Sequence, residues 1–163
     1  MATATATRAA LPLADLKKDR RDEIVGGLNA SLGSLVDLAL SSKQAHWNVT
    51  GPNFQGLHAL FDEIAAGVRE YSDEVAERVR ALGGLSRGTL EDVKTATSLP
   101  KFPPTETKWD ELAKVMHARL VAVSEDLRGR AEDVEDDLVT QDLYIEVMGG
   151  LDKWAWMVQA HLG

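Results

Sequence analysis

Two pairs of potential metal ligands stand four residues apart within one segment, His58 with Asp62 and Asp73 with Glu77, and another imidazole, His46, precedes them. Imidazole and carboxylate together suit ferrous iron, zinc or manganese, and carboxylates also stabilise a ferric product. The chain has no cysteine, so thiolate sites and disulfides are excluded and any metal must sit on nitrogen and oxygen. Taken singly, each acid reads more simply as a solvated helix charge beside Arg69, Arg78 or Arg80. His46 alone reads as a packing histidine and Trp47 alone as core. Only the set points to oxidation chemistry at a metal.

At about 100° per residue, positions 58, 62, 73 and 77 fall within roughly 100° of arc, so all four project from one side of a helix. They cannot share one ion within a chain. Asp62 and Asp73 are eleven residues apart, which is about 16 Å along a helix axis, whereas ligand atoms lie about 2 Å from a metal. The two pairs have a common midpoint between Gly67 and Val68. A twofold axis there would set Asp73 and Glu77 of the partner subunit opposite His58 and Asp62, creating two equivalent sites. Ala65, Ala66 and Gly67 are expected to let the two backbones approach.

The elements that must position these residues are helices. Leu28, Leu32, Leu35, Leu38, Ala39 and Ala45 build an apolar stripe that predicts a helix from about Asp19 to Val49, broken by Gly51-Pro52-Asn53. A second helix, from about Phe54 to Leu82, carries Leu57, Leu60, Phe61, Ile64, Val68, Tyr71, Val75 and Val79 and stops at Gly83-Gly84. Thr89 to Asp92 reads as a capping box opening a short helix that Pro100, Pro103 and Pro104 close off, and Thr107 to Asp110 as a second box opening a long helix through Leu127. An acidic segment, residues 132–137, ends that helix, and a last one runs from about Thr140 to His161. The expected fold is all-α: a ferritin-like four-helix bundle over 19–163, with a short extra helix in the crossover between helices two and three, preceded by a flexible arm over 1–18. Gly26, Gly27, Gly33, Gly149 and Gly150 fall inside these helices, where close helix approach would explain them.

Composition narrows the classes. The 163 residues suit one domain, and 44% hydrophobic content supplies one sizeable core. The alanine- and threonine-rich start lacks the apolar stretch of a secretory signal, and apolar runs are short, so no membrane association is expected and the location expected is the cytoplasm. A net charge of -8 argues against the chain as a whole being a nucleic-acid binder.

The stretch Lys43-Gln-Ala-His46-Trp47-Asn-Val-Thr-Gly51-Pro-Asn-Phe54, followed by His58, Phe61-Asp62-Glu63 and Asp73-Glu-Val-Ala-Glu77-Arg78, resembles the signature of the Dps family of miniferritins. The resemblance implies a bacterial shell of twelve subunits with ferroxidase centres at the twofold interfaces. His46, His58 and Asp62 would come from one subunit, Asp73 and Glu77 from its neighbour, and Trp47 would lie beside the site as an electron donor or radical trap. It further implies oxidation of Fe(II) by hydrogen peroxide or oxygen and storage of ferric mineral, with zinc and similar divalent ions as competitors. The chain contains no Glu-x-x-His, so it departs from the di-iron centre built inside the bundle of larger ferritins.

Asp137 and Asp142, in and just beyond the acidic segment, are candidates to line a threefold entry pore, where converging charge would draw cations. The alternative role is DNA binding and nucleoid protection, which some relatives achieve through lysine-rich tails. Here Arg8, Lys17, Lys18, Arg20 and Arg21 are nearly balanced by Asp15, Asp19, Asp22 and Glu23, and the last residues, His161-Leu162-Gly163, are not basic. DNA binding is therefore the lesser expectation.

Overall fold

The structure, a computed structural model, describes residues 16–163. Five helices follow in order: α1 (Lys18–Asn48), α2 (Phe54–Ala81), α3 (Leu90–Ala96), α4 (Trp109–Asp133) and α5 (Leu138–Leu162). No strand forms among the described residues; the one β-type contact is an isolated bridge between Thr50 and Lys108. Helices α1 and α2 pack as one hairpin, α4 and α5 as another, and α3 lies on α1 within the crossover. Lys18 is already helical, and the rest of the arm expected over 1–18 lies, apart from Leu16 and Lys17, outside the described residues.

The stripes of the four long helices meet in one core. Leu28, Leu35 and Leu38 of α1, Leu57, Phe61 and Ile64 of α2, Leu112, Met116 and Leu120 of α4, and Val147 and Leu151 of α5 are all fully buried. Truncating any one of the large members to alanine costs about 2–5 kcal/mol. Helix α1 also holds a stretch long and apolar enough to cross a membrane, but 56% of that stretch is buried inside the bundle.

Several ends and contacts depart from the sequence reading. The Thr89 box forms as expected: its hydroxyl accepts from Asp92 N–H while the Asp92 carboxylate takes the Thr89 N–H. Thr107 caps nothing. Its carbonyl is held by Thr50, and the Glu106 carboxylate instead accepts the Thr107 and Lys108 amides as the chain enters α4. Gly83, at φ +86, ends α2 in the left-handed conformation, and the Gly84 amide closes the turn back to Val79. The small residues at the midpoint of α2 serve this chain first: Ala65 is buried in its own bundle, and a Cβ on Gly67 would overlap the Trp154 ring of α5. Of the three, only Ala66 is exposed.

Candidate metal centre

The turn between α1 and α2 sets the geometry. Gly51 adopts φ +117 and sits against the Trp109 ring, where a Cβ would collide. The Thr50 amide donates to Thr107 O at 2.8 Å and the Trp109 amide to Thr50 O at 3.1 Å, so the turn is fastened to the start of α4. This reversal lays the last turn of α1 beside the first turns of α2.

His46 and His58 consequently stack, with ring centroids 3.8 Å apart and 24° between planes. His46 Nδ1 is 2.6 Å from the carbonyl oxygen of His58, and His58 Nδ1 is 2.8 Å from that of His46. A carbonyl oxygen can only accept, so each Nδ1 carries a proton and Nε2 is the nitrogen left to face a metal. Fixing ring angle and tautomer through the other nitrogen is how proteins prepare a histidine to bind a metal. Phe54 tilts against His58 at 5.0 Å. Trp47 is 66% exposed.

Asp62 follows His58 by one turn and is exposed, paired with Lys43. The Lys43 ammonium, assisted by the nearby histidines, holds its carboxyl below the usual value, so it is an anion. Farther along α2, Asp73 and Glu77 are exposed, and neither makes an ion pair or hydrogen bond among the described residues. Arg78, one of their expected partners, turns away: its Nη2 lies 2.7 Å from Asp137. No group of three or more His, Asp or Glu converges on a single point among the described residues. One chain thus presents two oriented imidazoles, a carboxylate one helical turn farther on that is turned to Lys43, and two more carboxylates toward the other end of α2. The chemistry of this donor set fits ferrous and ferric iron.

Of the two residues expected at a pore, Asp142 is exposed and Asp137 is not. Asp137 Oδ1 and Oδ2 accept from Arg78 Nη2 at 2.7 and 2.8 Å, and the Thr140 amide donates to Oδ1 at 3.4 Å, capping α5. Burial by itself would push this carboxyl up, but Arg78 and Thr140 together hold it below its ordinary value. Sequence reasoning missed Lys43 as the neighbour of Asp62 and missed the two backbone carbonyls that orient the histidines. Neither leaves a sequence signal, because both contacts cross the α1–α2 turn.

The fold is that of the ferritin-like class, whose family model, described as a ferritin-like domain, matches residues 25–163. A "DNA protection during starvation protein" of Agrobacterium fabrum is 35% identical over 150 residues, covering 91% of this chain and 93% of that one. Another of that name, from Mycolicibacterium smegmatis, is 37% identical over 158 residues, covering 90% and 81%. The solved structure of Mycobacterium smegmatis Dps superposes with a TM-score of 0.89 at 34% identity, covering 95% of this chain and 89% of that one. The chain belongs to the Dps family within the ferritin-like proteins.

Proposed function

We propose that this protein is a ferroxidase and iron-storage protein of the bacterial cytoplasm that works as a closed homo-oligomer, a dodecamer. Two subunits meet along α2 so that His46, His58 and Asp62 of one face Asp73 of the partner subunit and Glu77 of the partner subunit. The observation that carries this reading is the reciprocal His46–His58 arrangement, which commits each Nδ1 to a backbone carbonyl and leaves each Nε2 for a metal, with the anionic Asp62 one turn farther along α2. Ferrous iron is the substrate, hydrogen peroxide the favoured oxidant over oxygen, and the ferric product is stored as mineral. The two imidazoles bind Fe(II) through Nε2, while the carboxylates add the negative charge that favours Fe(III), lowering the cost of losing an electron at that place. Trp47 stands next to His46 in the chain and is exposed enough to exchange an electron with an oxidant at the site. Zinc competes for the same donors. Asp142 draws cations toward a threefold opening, with Asp137 shaping that corner through Arg78.

The test is anaerobic loading with Fe(II) followed by peroxide, measuring ferric absorbance and particle size for the protein and for His46→Ala/His58→Ala. Fast oxidation into soluble mineral, lost in the variant while assembly persists, is expected. Equal rates in both proteins would reject the ligand assignment.

A second reading, DNA protection, draws on the printed names of the curated relatives. The net charge of -8 weighs against it, since phosphate binding needs cations to displace counterions. Retention on DNA that persists at physiological salt without iron would favour it.

A further inference from the structure

One cation on the ligand side of α2 is left unspent. At about 100° per residue, Arg69 falls roughly 20° around the helix from His58, inside the arc that also holds Asp62, Asp73 and Glu77. It is exposed and makes no ion pair or hydrogen bond among the described residues, not even with Asp73 one turn on, where such a pair is within reach. Arg80, the other arginine on that side, donates instead to the Gly84 carbonyl. Arg69 lines an open groove of about 360 Å³ with Lys43 and Asp73, floored by Val36 and Leu40 of α1. Leu40 is 53% exposed there, so this side of the α1–α2 hairpin presents apolar surface together with its charges, the mixture of a face that meets another protein.

Solubility asks for a cation anywhere on an exposed side, and the position of Arg69 is narrower than that. About the twofold axis between Gly67 and Val68, position 69 stands opposite Ala66 of the partner subunit, a small residue that leaves room for a long side chain. One turn farther along, about 6 Å, stand both Asp73 of its own chain and, facing it, Asp62 of the partner subunit. We propose that Arg69 is the resident countercharge of the iron centre: in the iron-free assembly its guanidinium bridges Asp73 and Asp62 of the partner subunit, and it gives up both carboxylates when Fe(II) arrives. This rests on the α2-to-α2 pairing proposed above. Each centre gathers Asp73 and Glu77 beside Asp62 of the partner subunit, and Lys43 of the partner subunit offsets only one of these three negative charges. A planar fork of five N–H donors serves two carboxylates at once, which a lysine ammonium does less well. Without it, uncompensated like charges face each other across every empty centre. The same guanidinium competes with a divalent ion, so Arg69 both holds the empty interface and limits the affinity for Fe(II).

The test compares the intact protein with Arg69→Gln, which keeps hydrogen bonding but not charge. Assembly of the iron-free proteins is followed by sedimentation through a dilution series at low ionic strength, in enough urea to bring dissociation of the parent into range. Fe(II) binding is measured anaerobically by calorimetry. In Arg69→Gln the concentration at half-assembly should rise by about tenfold or more, as for a lost close charge pair across an interface, while Fe(II) should bind about tenfold more tightly. Adding Asp73→Asn to Arg69→Gln should restore iron-free assembly, because it removes the repulsion that the missing guanidinium leaves behind. Arg69→Lys, which keeps the charge without the fork, should fall between the parent and Arg69→Gln. A role in packing alone gives a different pattern: weaker assembly that Asp73→Asn does not restore, with Fe(II) affinity unchanged or lower. That pattern, or an Arg69→Gln protein that matches the parent in both measurements, would overturn the proposal. A parent that neither assembles nor binds Fe(II) would overturn the proposed function as well, whereas an assembled, iron-binding parent with an inert Arg69→Gln would overturn this inference alone.

Discussion

The two ends of α2 use the same residue types to opposite ends. Near its C-terminus, Arg78 and Asp137, 11% and 4% exposed, close on each other and on Thr140. Near its N-terminus, His46 and His58 spend one nitrogen each on the fold and keep the other, while Asp62 stays in water beside Lys43. A carboxylate that the chain neutralises with its own buried arginine becomes part of the scaffold. A carboxylate left with a solvated lysine stays available, because an exposed pair is worth little and yields easily to a metal.

The sharpest way to break this contrast is to exchange the consequences. Asp137→Asn strands Arg78 in the interior, and its expected cost is about 3–5 kcal/mol by denaturant unfolding. Oxidation per folded subunit should be unchanged; a large loss of ferroxidase rate at unchanged stability would place Asp137 in the chemistry instead. Because Asp137 titrates below its ordinary value, its contribution is present above the usual carboxylate range and is lost as pH falls through the depressed folded value. In Asp137→Asn the unfolding free energy should therefore fall less steeply with acid. The opposite end is tested by His46→Ala, for which oxidation of Fe(II) should fall by about 100-fold, beyond or at the limit of losses from outer-shell partners, with the melting transition little moved. A destabilised variant with normal rate per folded subunit would erase the contrast.

Smaller effects sharpen it. Asp142→Asn should slow iron uptake at low ionic strength and converge with the parent protein as salt screens the field, an ordinary signature of steering. An unchanged low-salt rate removes the pore role. Thr89→Ala, which opens the capping box of α3 far from either end of α2, should cost about 1 kcal/mol of stability and nothing in oxidation.

A second buried cation shows why such sites escape a sequence reading. Arg119 is 3% exposed, its Nη1 donates to Pro100 O, and its Nη2 lies 2.8 Å from Asp37 in an ionic contact off the hydrogen-bonding direction. Asp37 also accepts from Thr97 at 2.7 Å, so this one arginine ties α4 to α1 and to the crossover. Asp37, Pro100 and Arg119 are spread over three elements, and no spacing rule joins them. The helix stripes were legible because helical period is local, whereas the Thr107 box failed because Thr50, distant in sequence, had already claimed that peptide.

By itself the sequence determined five helices, their apolar faces, the candidate donor types and the impossibility of one chain gathering all of them, since rise and angle per residue are properties of the helix alone. Tertiary structure decided which charges were spent. Only the folded α1–α2 turn sets two histidine rings on each other's carbonyls, only the meeting of α2 with α5 buries Asp137 on Arg78 and hangs Trp154 on Glu63, and the reason is common: a polar group removed from water must find its partner wherever the packing brings one.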